Sequence, residues 1–246
     1  MLEQEISYPL DNSEFLKVIT NSFYRFLLSG TSTTTDKLKP LHGAIAKDIH
    51  EKLGEEYDVV AQGYGDDKEI RVQGRYMRKA VNITIQKDGR DIAGVSVRFV
   101  MQNYSQNANN YFEGMLGETA NLRSNNFPYF QVFIILDKIP HYKNDRDKTI
   151  TRWEEFKDFH AAKYQALAHD NVDVFYHTPN KTLICVVHIP DTDEGIDNKN
   201  KYCDFYRYSD FVAEWADIDF ESQEHSVIFN NYETFIDKVY HTIKSI

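Results

Sequence analysis

The run AVNITIQKDGRDIAGVSVRFV, residues 80–100, decides how this chain folds. Along 80–86, Val81, Ile83 and Ile85 share one side while Asn82 and Thr84 take the other. Along 92–100, Val95, Val97 and Phe99 oppose Ser96 and Arg98. A period of two is the mark of a half-buried strand. Residues 87–91, KDGRD, join the two runs as a tight hairpin. A two-residue loop, Asp88-Gly89, would set Asn82 against Val95 and put Asn82 and Ser96 on opposite faces. A three-residue loop, Asp88-Gly89-Arg90, pairs Lys87 with Asp91 and brings Asn82 opposite Ser96. Only the second register keeps Val81, Ile83, Val95 and Val97 on one face, because a one-residue slip turns a whole strand over. Asn82, Ser96 and Arg98 are therefore expected to cluster.

Outward from the hairpin, residues 69–74 read as a first strand ahead of it, and 63–67 as a turn. Residues 14–28 place Phe15, Val18, Ile19, Phe23, Phe26 and Leu27 at helical spacing behind Asn12-Ser13 as N-cap. A polar loop at 29–35 follows, then a second helix at 38–53 closed by Gly54. Beyond the hairpin, 105–123 read as a helix with Ala108, Tyr111, Phe112, Met115, Leu116, Thr119 and Ala120 as its apolar stripe. Residues 128–136 (PYFQVFIIL) and 181–189 are nearly all apolar, as strands covered on both faces are. A helix is expected at 152–168 between them, and another at 232–243. This order predicts an α/β fold with a mixed β-sheet flanked by helices. The chain divides into N-terminal helices at 1–55, an α/β core at 56–190, and an acidic, aromatic-rich extension at 191–246 packed on that core.

The chain has 246 residues, 41% of them hydrophobic and 14% aromatic, too apolar for a disordered polypeptide. No stretch reaches the roughly 18 apolar residues of a membrane span, and residues 1–13 lack a signal-peptide pattern. A soluble, cytoplasmic protein with no membrane partner is expected. Cys185, inside an apolar run, reads as a small core hydrophobe, and no Cys/His cluster has zinc spacing. The net charge of −10 argues against indiscriminate coating of nucleic acid. Charge is nonetheless segregated. From 68 to 98 eight basic residues face three acids, and from 191 to 224 eleven acids face three basic residues. Such runs are either solvated faces or an electrostatic footprint.

The run VNITIQKDGRDIAGVSVRFVMQNYSQNANNYFEGMLGETANLR resembles restriction-endonuclease-type sequences of the PD-(D/E)XK superfamily. Their equivalent stretch reads V-D-I-x-I, a Gly turn, then I-A-G-(I/V)-E-V-K-F-V. The resemblance covers residues 38–136 and implies a restriction-endonuclease-like fold. It also implies that Asn82, Ser96 and Arg98 occupy the catalytic Asp, Glu and Lys positions. In that superfamily the acids hold Mg²⁺ and the Lys orients the attacking water. A hard cation wants anionic oxygen, so Asn and Ser weaken such a site, and Arg cannot act as a base but can hold a phosphate. Some members carry Ser-x-Lys on the third strand and draw a Glu from the following helix. By that pattern Glu113 is a metal-ligand candidate, Glu118 a second, and Glu51 matches the common extra acidic position. Glu113 and Glu118 also read as ordinary surface acids.

The resemblance implies double-stranded DNA as partner, in a restriction or defence system, with Mg²⁺ as cofactor if the chain is active and none otherwise. Weakened or lost phosphodiesterase activity is the first expectation; an active Mg²⁺-dependent endonuclease using a helix Glu is the alternative. DNA is expected on the hairpin side, through Arg71, Arg75, Arg78, Lys79, Arg98 and Arg123. A homodimer or a partner subunit completes the expectation.

Overall fold

The computed structural model describes residues 3–29, 35–219 and 226–246. Two helices open the chain, α1 (Asn12–Ser29) and α2 (Lys39–Leu53), with a short 3₁₀ turn, Thr35–Leu38, before the second. The Asp11 carboxylate, not Asn12 or Ser13, accepts the N–H groups of Ser13 and Glu14 at the start of α1. Asn12 instead accepts the N–H of Tyr232 and so ties this end to the C-terminal helix. The α2 stop is as expected: Gly54 has φ 88° and donates its N–H to His50.

Strand β1 (Tyr57–Ala61) follows, then β2 (Ile70–Gln73), β3 (Arg78–Val81), β4 (Ile83–Lys87) and β5 (Arg90–Val100). The expected strand at 80–86 is broken at Asn82. Its first part, β3, pairs with β2 as a separate two-stranded hairpin, and its second part, β4, pairs with β1 and β5. The expected neighbour of the hairpin, 69–74, therefore leaves the main sheet, and β1, unread in the sequence, takes its place.

The loop between β4 and β5 is the two-residue one. Lys87 pairs with Arg90, and both Asp88 (φ 51°) and Gly89 (φ 71°) lie in the left-handed region, as a type I′ turn requires. The extra residue enters further along. A bulge at Ile92 shifts the register, so that Ile85 pairs with Ala93 and Ile83 with Val95. The bulge keeps Ile83, Val95 and Val97 on one face and carries Ser96 up beside Asn82, whereas Val81, expected on that face, lies beyond the break and packs in a second cluster with Val72, Leu122, Phe127 and Tyr129.

Helix α3 (Tyr104–Arg123) then crosses to β6 (Tyr129–Leu136), which runs parallel to β5 and is buried along its whole length. Strands β7 (Lys138–Tyr142) and β8 (Ile150–Glu155) form a second small hairpin, followed by α4 (Asp158–Ala168). The expected helix at 152–168 is thus cut short at its start: Ile150, Trp153 and the buried Glu154 belong to a strand. Strand β9 (Lys181–His188) lies parallel to β6. After it come α5 (Lys199–Arg207), β10 (Glu214–Trp215), β11 (Val227–Phe229) and α6 (Tyr232–Lys244). Both short strands pair with the outer edge of β9, β10 antiparallel and β11 parallel. The result is a mixed seven-stranded sheet in the order β1-β4-β5-β6-β9-β10, flanked by helices.

One large apolar core runs through all of this, drawing on Phe15 and Ile45, on Val95, Phe130 and Ile184, and on Tyr202, Phe235 and Val239. Helix α3 packs on the sheet as its stripe predicted: Met115 is buried, Tyr111 meets Phe133, and Phe112 meets Tyr164. Cys185 and Cys203 are free thiols, both buried. Among the described residues no helix is long and apolar enough to cross a membrane.

Candidate functional site

Asn82 sits where β3 departs from the main sheet, and its side chain closes the gap. Its Oδ1 accepts the Val97 N–H at 2.9 Å and the Ser96 hydroxyl at 3.4 Å. The amide thus stands in for the backbone carbonyl that the departing strand withdraws from β5. Its Nδ2 donates to the Glu69 carboxylate at 2.7 Å. Glu69 lies just before β2, and the Ile70–Val81 pairing of that hairpin brings it alongside.

These residues form one wall of a cleft of about 570 Å³ lined also by Arg71, Arg78, Lys79, Arg98 and Glu118. Ser96 is nearly buried, beside the Tyr129 hydroxyl, which burial first and the Glu118 charge second push far above the usual phenol range. Arg98 is half-buried, with its guanidinium 5.0 Å from the Tyr111 ring. It has no carboxylate within ion-pair distance among the described residues. Lys79 is paired with Glu118, and Arg78 donates to the Arg71 carbonyl at 2.9 Å. Five cations, Lys37 among them, and two carboxylates therefore line this space. Each acid is already engaged, Glu69 by the Asn82 amide and Glu118 by Lys79, and Arg98 is left to the cleft.

Of the residues singled out in the sequence, Asn82, Ser96, Arg98, Glu118, Arg71, Arg78 and Lys79 come together here. Arg75 stands on the exposed turn between β2 and β3 and does not line the cleft. That turn is anchored: Asn121 on α3 accepts the N–H groups of Tyr76 and Met77 and donates to the Met77 carbonyl. Gly74 permits this approach, because a Cβ there would lie 2.2 Å from the Asn121 amide.

Three others do not join. Glu113 is exposed on α3 and outside the cleft, its charge felt by Lys163. Glu51 lies on α2 beside Lys47, lining a different cavity with Asp48 and Asp237. Arg123 is buried and structural. Its guanidinium donates to the carbonyls of Val172, Phe175 and Thr178, tying down the loop before β9, and Tyr176 lies over it. It has no surface to offer DNA. Glu69 and Tyr129 were the residues missed. Reading β2 and β3 as a hairpin of their own would have placed Glu69 beside Asn82.

The arrangement does not fit Mg²⁺. The neutral amide oxygen of Asn82 is spent on Val97 and Ser96. Among the described residues no three His, Cys, Asp or Glu side chains converge as a metal site would need. With two engaged acids and a guanidinium that has no ion-pair partner among the described residues, the local field favours an anion.

No protein-family model matches the chain, and no similar curated protein or solved structure was found.

Proposed function

We propose that this cleft binds the phosphate backbone of double-stranded DNA, in a protein of the restriction-endonuclease-like fold whose phosphodiesterase activity is weak or lost. Such a chain would serve a restriction or defence system, as a homodimer or beside a partner subunit. The reading rests on the Asp, Glu and Lys positions of the superfamily pattern converging as Asn82, Ser96 and Arg98. The observation that carries it is Arg98: half-buried, over the Tyr111 ring, without an acid partner among the described residues, and flanked by Arg71, Arg78 and Lys79. A guanidinium so held presents its N–H groups to a phosphate in a fixed plane.

Glu69 and Glu118 lining the same cleft favour a second reading, an active Mg²⁺-dependent endonuclease. It requires Asn82 to release Val97 and Lys79 to release Glu118 before a cation can enter. The two readings separate in a single pair of assays. Duplex DNA binding is measured with chelator present, and plasmid nicking is measured with and without Mg²⁺. Binding that survives chelator, with no nicking in Mg²⁺, supports the first. Robust Mg²⁺-dependent nicking supports the second and removes the first.

A further inference from the structure

A second cationic cavity lies beyond this cleft, where the β5–α3 junction meets the β7–β8 loop and the start of α5. It holds about 400 Å³ and is lined by Gln102, Asn103, Gln106, His141, Tyr142, Lys143, Asn144, Lys148 and Lys199. We propose that this cavity binds a phosphate group.

Three ammonium groups and an imidazole line it, and among the described residues no carboxylate does, in a chain of net charge −10. None of Lys143, Lys148 and Lys199 has a carboxylate within ion-pair distance among the described residues; Lys148 reaches only the Asn144 amide oxygen, at 2.9 Å. Lys199 is half-buried against the rings of Phe26 (5.2 Å) and Tyr142 (5.8 Å). Burial, the largest influence, lowers its pKa, and Lys148 adds to the effect. Asp145, which feels the Lys143 charge, is engaged by Thr149, and the crowding of three ammonium groups costs free energy that an anion recovers.

The walls are built rather than loose. Lys143 N–H donates to the Thr149 carbonyl, the Asp145 carboxylate accepts the Thr149 N–H and hydroxyl, and Lys199 N–H donates to the Lys148 carbonyl. His141 is fixed from behind. Its Nδ1 lies 2.5 Å from Glu154, which also accepts the N–H and hydroxyl of Ser105 and a bond from Arg152. Burial opposes the Glu154 charge, but these hydrogen bonds outweigh it and hold the carboxyl below its usual range. Asn103 spends its side-chain oxygen on the Tyr142 N–H, and the start of α3 is capped instead by Glu154, which accepts the Ser105 N–H. The Gln102 side-chain oxygen is buried without a hydrogen-bond partner among the described residues, an acceptor that a hydroxyl or amino group of the ligand would satisfy.

Two sources of phosphate fit, a free nucleoside phosphate or the backbone of a strand already seated in the first cleft. A third groove joins the two spaces, sharing Lys37 and Phe99 with one and Gln102 and Asn103 with the other. The second source rests on the function proposed above; the first does not.

The test uses the full chain and three variants: Lys143→Gln/Lys148→Gln on the exposed loop, Lys199→Gln at the half-buried position, and Arg71→Gln/Arg78→Gln in the first cleft. Melting curves confirm that each folds. Binding of ATP and of inorganic pyrophosphate is followed by calorimetry, and binding of short and long labelled duplexes by anisotropy. A tenfold or greater loss of ATP and pyrophosphate binding in the lysine variants, with the arginine pair unaffected, supports the proposal with a free ligand. Loss confined to the long duplex, with a shallower salt dependence, supports it with a backbone phosphate. If only the arginine pair changes any binding, the second cavity is overturned while the first cleft stands. If the lysine variants bind every probe as the parent does, or no probe binds at low salt, the proposal is wrong.

Discussion

At the scale of single residues, Asn82 does two jobs that an acid there could not share. Its Nδ2 donates to Glu69, and its Oδ1 replaces a strand carbonyl for Val97. Asn82→Asp keeps the acceptor but sets a second carboxylate against the first. Repulsion between like charges in a half-buried setting costs about 2 kcal/mol. We expect the melting temperature of this variant to fall by several degrees in chelator and to recover on addition of Mg²⁺; a melting temperature unchanged in chelator would contradict the geometry. His42 offers a pH test. It is 2% exposed on α2, neither ring nitrogen has a hydrogen-bond partner among the described residues, and burial depresses its pKa to about 4. An unfolded chain takes up that proton near pH 6.5 and the folded one resists until about 4. His42 therefore contributes its full stability above about 6.5, and this is lost as pH falls toward 4. The interval corresponds to about 3 kcal/mol. Urea denaturation at pH 7.5 and 4.5 should show a smaller pH-dependent loss for His42→Leu than for the parent, and equal losses would exclude the burial account.

At the scale of elements, the hairpins decide the site. The β2–β3 turn is locked to α3 by Asn121, so Asn121→Ala should remove three hydrogen bonds and destabilise the chain by about 2 kcal/mol. Hydrogen exchange at the amides of Tyr76 and Met77 should rise at the same time, whereas unchanged protection would mean the turn holds itself. The β4–β5 pairing shows how far sequence reaches. Alternation alone dictated which side chains share a face, and the face assignment of Ile83, Val95 and Val97 holds because burying the wrong set would cost far more than a local irregularity; Val81, expected with them, lies beyond the break at Asn82 and packs in a separate cluster. How the chain meets that demand was not legible. Asp88-Gly89 prefers the two-residue turn, and a bulge at Ile92 absorbs the mismatch, a compromise between local and tertiary preferences that no periodicity encodes. The break at Asn82 was hidden for a related reason: an Asn in a strand pattern looks like any outward polar residue until the partner strand is known. Arg123 was misread because its partners, the carbonyls of Val172, Phe175 and Thr178, lie about fifty residues away on a loop without any periodic signal. The segment at 150–155 was absorbed into the following helix because its strand character depends on pairing with β7.

At the scale of the whole molecule, the acidic net charge and the basic cleft are compatible because charge is placed by topology. The β2–β3 hairpin and β5 bring Arg71, Arg78, Lys79 and Arg98 to one opening. The acids of the C-terminal segment should repel a polyanion from other faces and so favour approach through this opening. The central claim is that the opening binds the DNA backbone through Arg98 and its neighbours. The most direct test is the salt dependence of duplex binding, read by anisotropy with chelator present, for the parent, for Arg98→Gln and for Arg71→Glu/Arg78→Glu. Each lost phosphate contact should flatten the slope of log affinity against log salt by about 0.9. The account predicts measurable binding at low salt, a shallower slope and at least tenfold weaker affinity for Arg98→Gln, and a greater loss for the charge-reversed pair. Absence of binding at low salt, or parent-like affinity and slope in both variants, would contradict it.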